Sequence, residues 1–378
     1  MTEHVRTGIL RALSDGWSLL FIAVALSLIG ILTMHPFGED GSLAPRQLMW
    51  LAVGIVVYAI CAITDMHIIR RTTLLVSGYV FAIVLLVLLL LIADPVQGAK
   101  AWFSFGAVSF QPADLAKLVL IAFLAKYFSR RHVAIKQIGH VVLSGIYSAI
   151  IIGLILIQPD LGTAAILSVV WLGMVLVSGI SKKHLAIVFI AGAICAVGLW
   201  FFGLQDYQRT RIIAFINPAA DIRGAGYNAY QAVVAAGSGE FFGKGIGYGT
   251  QSKLRFLPEY ETDFIFAAFA EEWGFVGVSL VLILYALLLF QLLGIARKSA
   301  TNFDALFTIG VALLFLAHVF IHGGINLGLL PVTGTTIPFM SYGGSHLVME
   351  FAALGIVVSL ARHGRSAPRE AVRQEYFG

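Results

Sequence analysis

Ten stretches of this chain run for 17 residues or more with little besides apolar side chains: 17–34, 47–64, 73–93, 112–128, 141–157, 162–179, 185–203, 263–296, 303–330 and 337–361. Crossing the hydrocarbon core of a bilayer takes about 20 such residues as helix. In lipid only helices and closed barrels satisfy their own backbone polar groups. A barrel is excluded, because the runs are continuously apolar instead of alternating over short segments. The expected fold class is therefore an all-α polytopic membrane protein, a single domain over 1–378 built as a bundle of ten transmembrane helices. Composition agrees: 59% of the residues are hydrophobic and 12% charged, against roughly 45–50% and about 25% in soluble chains. The first run lacks a small-residue cleavage site and reads as a span, not a removed signal. Cys61 and Cys195 lie inside apolar runs, so no disulfide framework is expected.

An even number of spans puts both termini on one side, and the distribution of basic residues says which. Arg6, Arg11, Arg70, Arg71, Lys126, Arg130, Arg131, Lys136, Lys182, Lys183, Arg297, Lys298, Arg362, Arg365, Arg369 and Arg373, 16 of 25 Lys and Arg, fall on the side of the termini. The short loops opposite hold only Arg46 and Lys100. Both termini are expected in the cytoplasm. The net charge of +5 is then an orientation signal, and no stripe of basic and aromatic residues points to nucleic acid.

One large extracytoplasmic loop, about 204–262, separates spans seven and eight. It carries six basic and five acidic residues and the glycine-dense stretch Gly237–Gly249. Loops longer than about 12–15 residues are usually functional or disordered, and Phe241, Phe242 and Phe256 argue against disorder. With no GK[ST] and no preceding strand, the glycines do not make a phosphate loop. They are expected to form turns on the membrane surface.

Few charges sit in the spans. Lys117, Glu271, Glu272 and Glu350 are deep, and Asp114, Asp160 and Asp263 stand near helix starts on the outer face. An ionised side chain at mid-bilayer costs roughly 2.5–3.5 kcal/mol even on a lenient scale, so each needs a reason. Gln111-Pro-Ala-Asp114 and Gln158-Pro-Asp160 are ordinary helix-start signals, proline followed by an acid, and local sequence favours that reading. Lys117 has two readings of equal weight: an internal salt bridge to Glu271 or Glu272, or a cation awaiting an anionic headgroup. Asp263 alone reads as a helix-start acid, but Thr262 can already cap that helix. An acid at a low-dielectric boundary has a raised pKa, which suits a general base.

His318, His322 and Asn326 share one face of span nine. No HExxH or cysteine pair accompanies them, so interhelical hydrogen bonds are favoured over a metal site. Leu330–Gly344, broken by Pro331, Gly334 and Pro338, is non-helical backbone that protein or a cavity must cover.

Several longer motifs then stand in a fixed order. They are Gln158-Pro-Asp-Leu-Gly-Thr163, Tyr207-Gln-Arg-Thr-Arg-Ile-Ile-Ala-Phe-Ile-Asn-Pro218, Gly224-Ala-Gly-Tyr-Asn228, Gly243-Lys-Gly245 and Gly249-Thr-Gln-Ser-Lys-Leu-Arg-Phe-Leu-Pro-Glu259. Thr262-Asp-Phe-Ile-Phe266, Glu271-Glu272 and Pro338-Phe-Met-Ser-Tyr-Gly-Gly-Ser345 follow. Together they resemble the SEDS family (shape, elongation, division and sporulation) over nearly the whole chain, and its rod-shape branch more than its division branch. The resemblance implies a peptidoglycan glycosyltransferase that polymerises lipid II on the outer face of the cytoplasmic membrane. It places the family's essential aspartate at Asp263. Departures are Asp114, where the family usually has glutamate, Thr335, where it often has leucine or isoleucine, and His346, where it has serine. The first shortens a reach by one methylene; the other two read as surface or packing variation.

The mechanism this implies makes Asp263 the general base on the acceptor's 4-hydroxyl. Lys117, Arg209, Arg211 and Lys253 are candidates to stabilise the undecaprenyl diphosphate leaving group. Asp114, Gln158 and Asp160 would shape the cavity or hold the basic residues. One carboxylate differs from the pair used in glycoside hydrolysis, and suits a leaving group that needs no protonation. A divalent cation bridging acids and diphosphate is compatible, but no ligand set requires one. The family pairs with a class B penicillin-binding protein and other elongation proteins. The alternatives are a lipid II flippase, a scaffold that only docks other cell-wall proteins, and the division-type enzyme of the same family. A flippase would carry inverted repeats with broken helices, of which only the faint Gln-Pro echo of spans four and six is visible.

Overall fold

The computed structural model describes residues 3–35, 43–93, 101–105, 108–130, 138–217 and 224–363. Of the residues used above to orient the chain, Lys100, Arg131, Lys136, Arg365, Arg369 and Arg373 lie outside these, as do the side chains of Arg6 and Arg11 and the motif residue Pro218.

The apolar runs form α1 (Glu3–Met34), α2 (Leu43–Ile63), α3 (Thr72–Ile92), α4 (Pro112–Ser129), α5 (Ile138–Ile157), α6 (Leu161–Val177), α7 (Lys182–Gly198), α11 (Ile265–Arg297), α12 (Asn302–Asn326) and α13 (Gly344–His363). Eight of them are long and apolar enough to cross a membrane. The other two are α4, which carries Asp114, Lys117 and Lys126, and the 17-residue α6. Their place in the bundle explains the difference. α4 is buried along most of its length between α3, α12 and α13, and α6 packs on α5 and α12. A helix walled by protein can hold charge that lipid would refuse. α7 is the opposite case: apolar all round and with no buried residue.

The long loop carries helices of its own. It contains α8 (Asp206–Ile216), α9 (Ala225–Ser238) and the short α10 (Thr250–Lys253). α9 packs on α11 and α12, closing a second apolar core of Ala232, Ala235, Leu257, Tyr260, Phe264, Ala267, Ile325 and Val332.

The glycine stretch does not merely turn on the surface. α11 breaks at Gly274, whose φ of 63° and ψ of −165° are not helical. Gly239–Gly245 lies in the gap and repairs it. The amides of Lys244 and Gly245 donate to the carbonyls of Glu271 and Glu272, and those of Phe275 and Val276 donate to the carbonyls of Glu240 and Phe241. A Cβ on Gly243 would stand 2.1 Å from the Glu272 carbonyl oxygen, and one on Gly274 2.3 Å from the Gly243 nitrogen. Both positions need glycine for this approach. The acids at the break find partners here too: Glu271 accepts from Lys244 Nζ at 2.6 Å and Thr250 Oγ1 at 3.0 Å, and Glu272 Oε1 from the Gly247 amide at 2.6 Å, while Glu272 Oε2 is buried without a partner. Neither pairs with Lys117.

Three further details differ from expectation. Span ten was expected from 337, but α13 starts at Gly344: Pro331 and the left-handed Gly334 keep 331–337 out of helix, and 338–342 is a turn in which Phe339 has a φ of 64°. Thr262 does not cap α11; Phe264 stands at that position without a side-chain cap, and the Thr262 hydroxyl donates to the Glu259 carbonyl. The bundle is not purely helical: β1 (Phe103–Phe105) and β2 (Val108–Phe110) pair antiparallel ahead of α4, with Ser104 opposite Ser109.

Candidate active site

A cavity of about 450 Å³ opens where the starts of α4, α6 and α11 meet. α8 supplies Tyr207 and Arg211, the lead-in to α11 supplies Glu259, Thr262 and Asp263, and Pro159 and Asp160 precede α6. Lys117 of α4, Trp50 of α2, Ser104 and Ser109 of the hairpin, and Thr333–Thr336 complete the wall. Four well-separated stretches of sequence thus bring the charged groups Lys117, Asp160, Arg211, and Glu259 with Asp263 to one hollow.

Asp263 precedes α11 by two residues, on backbone that α12 and the turn before α13 hold from both sides. Asn326 Nδ2 donates to the Asp263 carbonyl at 3.0 Å while Asn326 Oδ1 accepts from the Ala267 amide at 2.9 Å. Ser341 Oγ donates to the Thr262 carbonyl at 2.9 Å, and the Tyr342 amide to that of Glu261 at 2.8 Å. Among the described residues no hydrogen bond reaches its carboxylate. Burial first, then Glu259, with Asp160 and Glu261 adding and Arg211 pulling against them, pushes the Asp263 carboxyl up to about 7. The lead-in is rigid while the acid itself is free to act.

Asp160 is the N-cap of α6, accepting from the Thr163 amide at 2.9 Å. It is therefore both the helix-start acid that local sequence favours and a lining residue. Burial raises its carboxyl, and the Thr163 amide pulls it back down. Tyr207 anchors α8 by donating to the Pro159 carbonyl at 3.2 Å, and the Arg211 guanidinium lies 5.5 Å from its ring centroid.

The stripe on α12 makes hydrogen bonds, as its spacing suggests. The His318 and His322 rings bond the carbonyls of Thr336 and Thr335 at 3.0 and 2.7 Å. They hold the extended segment that forms one side of the cavity. Among the described residues no group of three His, Cys, Asp or Glu side chains could hold a metal ion.

Not every residue expected at the site reaches it. Arg209 and Arg211 are two apart on a helix, so they face opposite ways. Arg211 lines the cavity, while Arg209 donates to the carbonyls of Trp200 and Phe201 just after α7. Lys253 is exposed on α10, away from the wall. Gln158 is buried and donates to the Leu86 carbonyl at 2.9 Å, tying α5 to α3. Asp114 lies behind the wall, 3.0 Å from Lys117 Nζ, which is the salt bridge Lys117 actually makes. His346 and Thr335 are not surface variation: both are buried and both line the cavity. His346 Nδ1 also sits 3.0 Å from Asp114 Oδ1, so two departures from the family pattern touch each other. Tyr207, Glu259 and Tyr342 were missed. The i,i+4 spacing of Tyr207 and Arg211 was the one available signal.

A family model described as a cell cycle protein, FtsW/RodA/SpoVE, matches residues 10–366. The chain belongs to that family. It is 35% identical over 351 residues to the peptidoglycan glycosyltransferase MrdB of Escherichia coli (strain K12), covering 92% of this chain and 94% of that one. It is 33% identical over 359 residues to stage V sporulation protein E of Bacillus subtilis (strain 168), covering 92% and 97%. Among solved structures, a chain reported under the heading "Structural coordination of polymerization and crosslinking by a peptidoglycan synthase complex" superposes with a TM-score of 0.79 at 31% identity, over 93% of this chain and 98% of that one. The rod shape determining protein RodA of Thermus thermophilus superposes with a TM-score of 0.69 at 30% identity, over 92% and 97%. This family member is thus a multi-pass membrane protein whose conserved-length fold extends over the whole matched region.

Proposed function

We propose that the chain is a peptidoglycan glycosyltransferase that polymerises lipid II during cell elongation, with Asp263 as general base. One observation carries the assignment of the site: a half-buried carboxylate that accepts no hydrogen bond among the described residues shares a cavity with Arg211 and Lys117. The relatives named as glycosyltransferases support the reaction class. Asp263 takes the proton from the 4-hydroxyl of the acceptor N-acetylglucosamine. The oxygen attacks the donor's anomeric carbon, and the bond to the diphosphate breaks. Undecaprenyl diphosphate leaves with an added negative charge, which Arg211 and Lys117 stabilise from the cavity wall. Asp160 and Tyr207 shape the floor. Arg209, Lys253 and Gln158 serve structure or surface, since other groups or solvent take them up.

The chain acts as one membrane domain. α4 and α6 also cross the bilayer, giving ten spans with both termini cytoplasmic and 204–262 outside. Each of the ten apolar runs coincides with a helix, which supports the count. A transpeptidase of the class B penicillin-binding type is the partner; the complex named for polymerization and crosslinking among the structural neighbours supports it. The test is polymerisation of lipid II by the purified protein with that partner, comparing wild type with Asp263→Ala. Undiminished glycan chains in the variant would refute the base. Rescue of rod shape, as against division, in cells lacking each relative separates the elongation reading from the division one.

A further inference from the structure

Behind the cavity wall four ionisable side chains form a closed line from α4 to α13. Lys117 Nζ is 3.0 Å from Asp114 Oδ1, and that same oxygen is 3.0 Å from His346 Nδ1. The other ring nitrogen of His346 lies 3.0 Å from Glu350 Oε1 and 2.9 Å from Thr336 Oγ1. Ser345 Oγ donates to Asp114 Oδ2 at 3.3 Å, and the Phe339 amide fixes Glu350 Oε2 at 2.8 Å. All four side chains are buried, yet only Lys117 and His346 reach the cavity surface; Asp114 and Glu350 stand behind them.

The arrangement has a directional consequence. An ammonium has three donors, and Asp114 takes one of Lys117's, leaving two to face the cavity. A buried carboxylate left to one cation draws it close and takes a second donor from it, because nothing else neutralises the charge. His346 prevents that by occupying the far side of the same oxygen. His346 Nδ1 hydrogen-bonds Asp114, while Nε2 bonds Thr336 Oγ1 and stands at ion-pair distance from Glu350 Oε1 without hydrogen-bond geometry, so a ring protonated on both nitrogens puts its positive charge between the two carboxylates.

We propose that His346 is a positioning residue for Lys117: held by Glu350 and Thr336, it shares Asp114 and so keeps the ammonium turned into the cavity toward a diphosphate. This rests on the reading of Lys117 as a diphosphate ligand. The experiment titrates undecaprenyl diphosphate into the full-length protein in nanodiscs and compares wild type, His346→Leu, Lys117→Met and the double variant. His346→Leu weakens affinity about tenfold, Lys117→Met at least as much, and the double variant binds no more weakly than Lys117→Met, the signature of two residues acting through one contact. His346→Asn, which keeps a donor toward Asp114 but not the charge and stays polar should leucine fail to fold, recovers part of the affinity. A His346→Leu protein that binds like wild type, a double variant whose loss is the product of the two single losses, or an asparagine variant no better than leucine would each overturn the proposal. Wild-type binding by Lys117→Met would overturn the ligand reading itself, a distinct result.

Discussion

Two aspartates, Asp263 in the cavity wall and Asp114 behind it, are treated in opposite ways. Asp114 meets Lys117, His346 and Ser345, and every oxygen it owns is used. Asp263 meets no donor among the described residues, although its own backbone is strapped by Asn326 and its neighbour Thr262 by Ser341. The first is a structural charge whose neighbours neutralise it. The second is a charge the fold makes costly to form, on a backbone that cannot move away. Burial without partners is what distinguishes a group kept for chemistry from one kept for architecture.

The sharpest break in that comparison is Asp263→Ala. Polymerisation of lipid II falls by about a hundredfold to ten-thousandfold, the range for loss of a positioned base, while the melting temperature in detergent does not fall. Asp114→Ala does the reverse first: it strands Lys117, and thermal unfolding shows a loss of about 3–5 kcal/mol. A variant at Asp263 that unfolds, or one at Asp114 that keeps full stability, would erase the distinction.

The pH profile sharpens it. Asp263 works ionised, so the polymerisation rate climbs as pH rises toward about 7 and levels above it. Glu259→Gln removes a charge that raises the Asp263 carboxyl and moves the midpoint to lower pH; Arg211→Ala removes the opposing charge and moves it higher. For stability the sign is opposite to that of a salt-bridged acid. A raised carboxyl contributes stability that is fully present below the ordinary carboxylate range and lost as pH climbs toward about 7. Asp263→Asn flattens that decline in unfolding measurements at stepped pH. The smallest effect belongs to Arg209→Ala, which leaves the cavity untouched and costs about 1 kcal/mol of stability through its lost backbone hydrogen bonds; a large fall in kcat there would return Arg209 to the site.

Periodicity and length made the spans legible, because lipid leaves a chain so few choices. The scarcity of charge made Lys117, Asp160 and Asp263 legible, since each embedded charge stood out against an apolar background. What stayed hidden depends on pairing between distant segments. Lys117 takes Asp114, three residues away on its own helix, a spacing that is readable locally; what could not be read is that Lys244 claims Glu271 from the long segment before α11. His346 looked like a neutral exchange because its partners, Asp114 and Glu350, come from two different helices. Trp50 gave no sign at all. Arg209 and Arg211 were separable in principle by helical phase, and only the assumption that 204–262 was a loop concealed it.

The strand of glycines wedged into α11 is the keystone of an arch. Its removal would leave two carbonyls and two amides bare within a span, at a cost of several kcal/mol apiece in lipid. The segment Gly239–Gly245 and α11 therefore stand or fall together. Any partner that grips Glu240–Gly245 has a mechanical handle on a helix that runs from the cavity rim to Arg297 at its far end.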